Sequence, residues 1–372
     1  MIYLDNAATT LVKPPEVTKA IVNALSTCGN AGRGAHTAAL TASDVLFSCR
    51  EEAGKLFGQP DVDQIVFTQN TTHALNLAIF GTMRQKGHCL ISGYEHNSVI
   101  RPLHALKPVG VTYTAVRTPL FEQEQFLNEF VQGIRNETKY AVCTHVSNVF
   151  GYILPIKEID EICWKHGISL IIDAAQSAGC IPIDFSALKA TVCLCVPGHK
   201  GLYGPQGTGL LICRNGEQLE PFMYGGTGSA SKSLQQPEFM PDRHESGTQN
   251  IHGIAGLKEG ITYVRNKGET TILASEKTLI QYAAETLAKI EGIKVYFGPD
   301  QAGVLAFTSD RFLPETIVDF LGENQIAVRG GLHCSPIAHE TVGTVDGCVR
   351  ISVSDFNSFD DIDKLVEWLK KI

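Results

Sequence analysis

Between residues 61 and 196 short apolar runs alternate with longer amphipathic stretches, and that alternation sets the fold the sequence predicts. The apolar runs at 64–68, 88–92, 111–116, 140–144, 169–173 and 192–196 read as strands. Between them, 72–83, 98–106, 122–134 and 156–166 carry apolar residues at helical spacing. Near-continuous apolar strands joined by such helices form a mostly parallel sheet covered on both faces, so the fold class expected is α/β. Ligands of such sheets sit outside the carboxyl ends of the strands.

The flanks read differently. Tyr3-Leu4-Asp5-Asn6-Ala7-Ala8-Thr9-Thr10 is a short strand breaking into small and hydroxylated residues, and Pro14-Pro15 start a helix that runs to about residue 25. The glycine-rich stretch Gly29-Asn30-Ala31-Gly32-Arg33-Gly34-Ala35-His36-Thr37 is a lid or a plain connection, and a helix over 40–57 follows it. Near residue 260 the texture changes. Helical stretches at 251–265 and 270–290 lead into strands at 294–297, 304–308 and 349–352 and helices at 314–321 and 359–372, the pattern of a smaller α+β domain. The division expected is 1–15 packing with the small domain, 16–262 as the large domain and 263–372 as the small one.

Charge narrows the partners. A net charge of −8, spread without long like-charge runs, points away from nucleic acid and anionic membranes and toward a small-molecule ligand. With no basic leader ahead of an apolar core and no apolar run approaching the ~18 residues of a span, a cytoplasmic protein is expected. The cysteine count of 11 is odd, and most cysteines lie in apolar segments, where they act as small hydrophobes in a reducing compartment. Cys193 and Cys195, alternate on a strand, are expected to point apart. No Cys-x-x-Cys pair occurs, so neither a structural zinc nor any other metal site is expected.

The candidate chemistry falls at strand ends. Lys200, in Pro197-Gly198-His199-Lys200-Gly201, is either a surface turn lysine or an amine held to form an imine with a carbonyl. Thr71-Thr72 is either a simple helix cap or, with the free amides of a helix start, an anion site for a phosphate. Asp173 ends an apolar run, where its charge needs a cation: a protonated ring nitrogen, unless the residue is a metal ligand or a helix cap. His96 either stacks on a flat ligand or is structural, and Asn148 offers an amide at the same edge or a satisfied loop. Cys334 lies among glycines in Arg329-Gly330-Gly331-Leu332-His333-Cys334, away from apolar runs, so it is either an available nucleophile or an incidental loop thiol.

Tyr3 to Thr10, Thr71-Thr72, Glu95-His96-Asn97, His145-Val146-Ser147-Asn148, Asp173-Ala174-Ala175-Gln176, Gly198-His199-Lys200 and Glu245-Ser246-Gly247-Thr248-Gln249-Asn250 occur in an order that resembles class V aminotransferase-fold enzymes across essentially the whole chain. Within that group the chain is similar to cysteine desulfurases, and its short Cys334 segment to the Suf-type, group II enzymes. The resemblance implies the fold type I architecture of pyridoxal 5'-phosphate (PLP) enzymes, with PLP in the large domain and the nucleophilic cysteine loop in the small one. Lys200 would carry PLP, Asp173 would face its pyridine nitrogen, Gln176 and Asn148 its phenolate oxygen, and His96 would stack on the ring. Thr71, Thr72 and His199 would contact the phosphate, and Thr248 the phosphate of the neighbouring subunit of a homodimer. Arg350 would hold the substrate carboxylate beside Asn148, and Lys200, His96 and Cys334 would be catalytic. L-cysteine, or L-selenocysteine, would be the substrate, with sulfur left on Cys334 as a persulfide for an acceptor protein.

The alternatives are a selenocysteine lyase, a class V aminotransferase and a non-catalytic sulfur-relay module. One departure stands out: Pro197 occupies a position where the family usually has a phosphate-binding serine or threonine, and Thr227, Ser229 or Thr248 are the expected substitutes. The 225–236 segment is expected to form a hairpin at the dimer edge.

Overall fold

In the computed structural model, which describes residues 1–32 and 34–372, every apolar run between 64 and 196 becomes a strand of one sheet. Arg33, in the glycine-rich loop, lies outside the described residues. The chain begins with β1 (Ile2–Tyr3), α1 (Pro15–Thr27) and α2 (Thr37–Phe57). It continues through β2 (Ile65–Thr68), α3 (Thr71–Thr82), β3 (Gly87–Ser92), α4 (Asn97–Ala105), β4 (Val111–Val116), α5 (Gln123–Gln132), β5 (Thr138–Thr144) and α6 (Ile156–Lys165). β6 (Ser169–Asp173), β7 (Thr191–Pro197) and β8 (Gly209–Cys213) complete the sheet, whose order is β2-β8-β7-β6-β5-β3-β4.

All neighbours in that sheet are parallel except β8, which runs antiparallel to both β2 and β7. The sequence reading missed β8 because its apolar run, Leu210-Leu211-Ile212, follows directly on a glycine-rich turn. A strand that returns through a short turn must run antiparallel, whereas the other strands cross over, all but the β6–β7 pair through an α-helix. Side chains alternate between two cores. Leu170, Ile172, Leu194 and Val196 face α2, α5 and α6 with Phe57, Phe126, Phe130 and Ile159. Ile171, Cys193 and Cys195 face α3 and α4 with Leu75, Leu103 and Val99. The expectation that Cys193 and Cys195 diverge is therefore wrong, since residues two apart on a strand share a face.

The remainder comprises α7 (Ile251–Lys267), α8 (Glu269–Leu287), β9 (Ile293–Tyr296), β10 (Val304–Ser309), α9 (Pro314–Glu323), β11 (Ile326–Ala327), β12 (Arg329–Gly331), α10 (Pro336–Val342), β13 (Cys348–Ser352) and α11 (Phe359–Leu369). The boundary expected at 262 lies inside α7, which packs on α1 and α2. Gly260 of α7 is required there: a Cβ would sit 2.1 Å from the Leu202 carbonyl oxygen, in the turn that carries Lys200. A second antiparallel sheet, β12-β13-β10-β9, is covered by α8, α9 and α11 around Leu279, Phe307, Ile317, Ile351 and Leu365.

β1 pairs in parallel with β11, and Leu4 belongs to this second core, so the first residues of the chain are built into its last third. β11, β12 and α10 are too short to have shown a period in the sequence. The 225–236 segment forms turns and bends without a strand, so the expected hairpin is absent. Among the described residues no helix is long and apolar enough to cross a membrane.

Candidate active site

β7 ends at Pro197, which pairs with Gly209 of β8, and the chain then turns on Gly198. The Gly198 amide donates to Thr208 O and its carbonyl accepts from Gly204 N. A Cβ on Gly198 would stand 2.1 Å from Thr208 Oγ1, so only glycine fits. The N-terminal segment grips the next two residues: Thr10 N and Thr9 Oγ1 each donate to His199 O at 3.1 Å. Lys200 is thereby held half-buried at the wall of a cleft. Burial pushes its amine down to about 8; Asp173 opposes that shift and Arg350 adds to it.

Asp173 closes β6, the strand beside β7. Its Oδ1 accepts from Ala175 N at 2.9 Å, and burial raises its carboxyl to about 6 against the pull of that hydrogen bond and of Lys200. The carboxylate needs more positive charge than the protein gives it. Lys200 and Asp173 line a cleft of about 480 Å³, open to solvent, together with Thr71, Thr72, His96, Asn148, Gln176 and His199. Eight side chains from five motifs thus converge at the carboxyl ends of β2, β3, β5, β6 and β7.

At the far wall, Asn70 caps α3, its side chain accepting from His73 N at 2.9 Å. Thr71 and Thr72 are therefore the first helical residues rather than its cap, and their backbone amides have no partner within the helix. Thr71 Oγ1 is buried without a partner, as is His199 Nδ1. Thr72 Oγ1 lies 2.8 Å from Ser98 Oγ. His96 Nδ1 accepts from Ser98 N at 3.0 Å, so the neutral ring carries its proton on Nε2. Burial first, and then Lys200, Arg101 and Arg350, lower this imidazole to about 4. Gln176 Nε2 donates to Ala7 O.

Three predicted residues do not line the cleft: Cys334, Arg350 and Thr248. Cys334 is exposed, whereas the other described cysteines are buried or half-buried. His333 and Cys334 both take left-handed backbone, at φ 51° and 57°, which is uncommon for residues with a Cβ. The loop is tied back to the cleft. Asn97 N donates to Cys334 O at 2.8 Å, Asn148 Nδ2 to His333 O at 2.9 Å, and Ser335 Oγ to Asn148 Oδ1 at 2.7 Å. Asn148 is thus engaged by the cysteine loop. Arg350 is buried on β13, its Nη2 donating to Asp5 Oδ1 and its Nη1 to Asn148 O, with Nε unpartnered. Asp5 also takes Arg329, so one carboxylate joins two guanidiniums.

Thr248 is exposed and lines a separate depression with His73 and Gln249. Glu245 of the same motif is structural: it pairs with Arg50 at 2.6 Å and accepts from Phe67 N, anchoring the segment to β2. None of Thr227, Ser229 and Thr248 lines the cleft, whereas Ser98 does. Sequence reasoning missed Ser98 and Ser335, although each lies within two residues of a motif residue, and it missed Asp5 because its two arginine partners are more than three hundred positions away.

The aminotransferase class-V family model matches residues 2–365. A probable cysteine desulfurase of Methanothermobacter thermautotrophicus is 32% identical over all of this chain and 94% of its own length. A cysteine desulfurase of Escherichia coli is 31% identical over all of this chain and 93% of its own. Among solved structures, the apo cysteine desulfurase of Thermococcus onnurineus superposes on the whole chain, and on 94% of its own, with a TM-score of 0.90 at 28% identity. The S-sulfonic acid form of the E. coli cysteine desulfurase CsdA, likewise covered to 94%, gives 0.89 at 26%.

Proposed function

The chain belongs to the aminotransferase class-V family, and on that premise we propose that it is a PLP-dependent cysteine desulfurase that converts L-cysteine to L-alanine and leaves the sulfur on Cys334. The observation that carries the reading is the pairing of Lys200, which lines a cleft with Asp173, with one exposed thiol whose loop is hydrogen-bonded to the rim of the same cleft.

PLP fits the residues present. Thr71 Oγ1, His199 Nδ1 and the free amides at the start of α3 are unspent partners for a phosphate, and a protonated pyridine nitrogen would be the cation that Asp173 lacks. Lys200 would hold the cofactor covalently, Gln176 would lie toward its oxygen, and His96 would cover its ring. Ser98, hydrogen-bonded to Thr72, adds a hydroxyl to the same cleft. Bound PLP supplies an electron sink for the substrate Cα.

The protein's own groups do the rest. Lys200 Nζ, near 8, exchanges a proton with the substrate Cα close to neutral pH, and neutral His96 offers its Nε2–H as a hydrogen-bond donor in the cleft. Cys334 Sγ attacks the substrate sulfur; the S–S bond forms as Cβ–S breaks, the electron pair stays on carbon, and a proton completes alanine. Arg350 meets the substrate carboxylate through its unpartnered Nε or by exchanging Asp5 for it. The exposure of Thr248 supports a homodimer in which it serves the neighbouring site, and the exposed persulfide then passes to an acceptor protein.

Incubation with L-cysteine gives stoichiometric alanine and sulfide under reductant. Cys334→Ala abolishes both while the absorption band of the Lys200-bound cofactor persists. Undiminished sulfide release by that variant, or pyridoxamine phosphate in place of alanine, refutes the assignment. A parallel assay with selenocysteine separates a selenium-selective enzyme.

A further inference from the structure

Behind the Cys334 loop, His333, His339 and Cys348 bring one ring nitrogen from each histidine and Sγ within 4.8 Å of one another. The two imidazole rings lie nearly parallel, 14° apart with centroids at 5.8 Å. In each ring the other nitrogen is committed. His339 Nδ1 lies 2.9 Å from Thr344 O, and His333 Nε2 lies 3.2 Å from Arg329 O. Thr344 Oγ1 lies 2.8 Å from the same His339 nitrogen; because a carbonyl oxygen can only accept, the tautomers with protons on those two nitrogens satisfy both carbonyls and leave the facing nitrogens their lone pairs. His333 Nδ1 and His339 Nε2 are buried and have no hydrogen-bond partner, and His339 is fully buried.

Two bare lone pairs facing a thiol inside the protein are unfavourable without something to accept them. An imidazole oriented by a backbone carbonyl through its second nitrogen is the arrangement of a metal ligand. Two such imidazoles and one thiol form a donor set that suits a thiophilic cation rather than magnesium or calcium. We propose that His333, His339 and Cys348 bind a thiophilic divalent cation of the zinc type at the base of the Cys334 loop.

Binding displaces one proton from the Cys348 thiol and forms one S–metal and two N–metal bonds with no change of oxidation state. The single carboxylate of Asp5 offsets one of the two charges of Arg329 and Arg350, so the site faces one net positive charge rather than two. The site is independent of the desulfurase reading, because none of the three ligands lines the Lys200 cleft. Paired-cysteine spacing could not reveal it, since α10 and the turn before β13 are what bring the ligands together.

The test loads the PLP-bound enzyme with Co2+ as a spectroscopic probe and with Zn2+ for affinity against a chromophoric chelator. The expected result is one ion per chain, a cobalt–thiolate charge-transfer band, and affinity weakened more than about tenfold in His339→Asn and Cys348→Ser but kept in Cys334→Ala. Absence of the band from the wild type, or its loss in Cys334→Ala with retention in Cys348→Ser, overturns the proposal. X-ray absorption on the zinc-loaded wild type needs no variant. One sulfur and two imidazoles support the site, and a shell of oxygen and nitrogen alone refutes it.

Discussion

Lys200 and Asp173 are displaced from their ordinary pKa values in opposite directions by the same cause, loss of water, and each partly relieves the other. The sign for Lys200 follows from its being a base. The nucleophilic form is the neutral amine, whose fraction grows as pH rises toward about 8 and levels off above it. Capture of added PLP by cofactor-free protein should therefore accelerate about tenfold per pH unit below that value and then plateau, as read from the rise of the imine absorption band. A surface lysine, with its amine near 10.4, would still be accelerating above pH 9. These residues were legible in the sequence because each sits at the end of an apolar run. Arg350 was legible only by resemblance, and its link to Asp5 was not legible at all, because an ion pair between the two ends of the chain leaves no local pattern.

At the scale of an element, the start of α3 shows what local reading leaves undecided. Two threonines before a helix read equally well as a cap or as an anion site, and Asn70 decides the matter by capping the helix itself. Asn70→Ala removes that cap and should lower stability by about 1 kcal/mol, measured as a shift in urea midpoint. It should also weaken PLP retention, seen as faster loss of cofactor on dialysis, because the amides of Thr71 and Thr72 are no longer held. β8 carries a parallel lesson: its pairing with β7 holds the Lys200 turn, with Gly198 in contact with Thr208, yet its sequence reads as the tail of a glycine-rich loop.

Across the whole molecule, Asp5 ties the first residues to β12 and β13 through Arg329 and Arg350. Arg350 is 3% exposed, so Asp5→Asn leaves its charge buried without a counter-ion. A loss of about 3 to 5 kcal/mol is expected, measured by urea denaturation of the cofactor-free protein, with Asp5→Glu partly restoring it. Burial, and next Asp355, push Glu276 of α8 up to about 8. A carboxyl raised this way keeps its proton in the fold where the unfolded chain has lost it, so its contribution to stability declines as pH rises from about 4.5 to 8. Glu276→Gln should flatten that decline and stabilise the protein at pH 8 by on the order of a few kcal/mol. Glu95, shifted the same way, keeps part of the slope. Equal pH dependence in variant and wild type would exclude the buried-acid account.

The α/β class and most strands and helices of the large sheet follow from local pattern, and the residues that meet around Lys200 from strand-end positions together with the family resemblance. Periodicity is a local property, and ligand-binding residues of such sheets cluster at strand ends whatever the rest of the chain does. Long-range packing sets where β8 inserts, which core Cys193 and Cys195 share, and that the 225–236 segment forms no hairpin. It also decided that Asn148 clasps the Cys334 loop and that His333, His339 and Cys348 converge. Those outcomes depend on contacts between residues far apart in the chain, whose free energy is gained only when separate elements pack and exclude water.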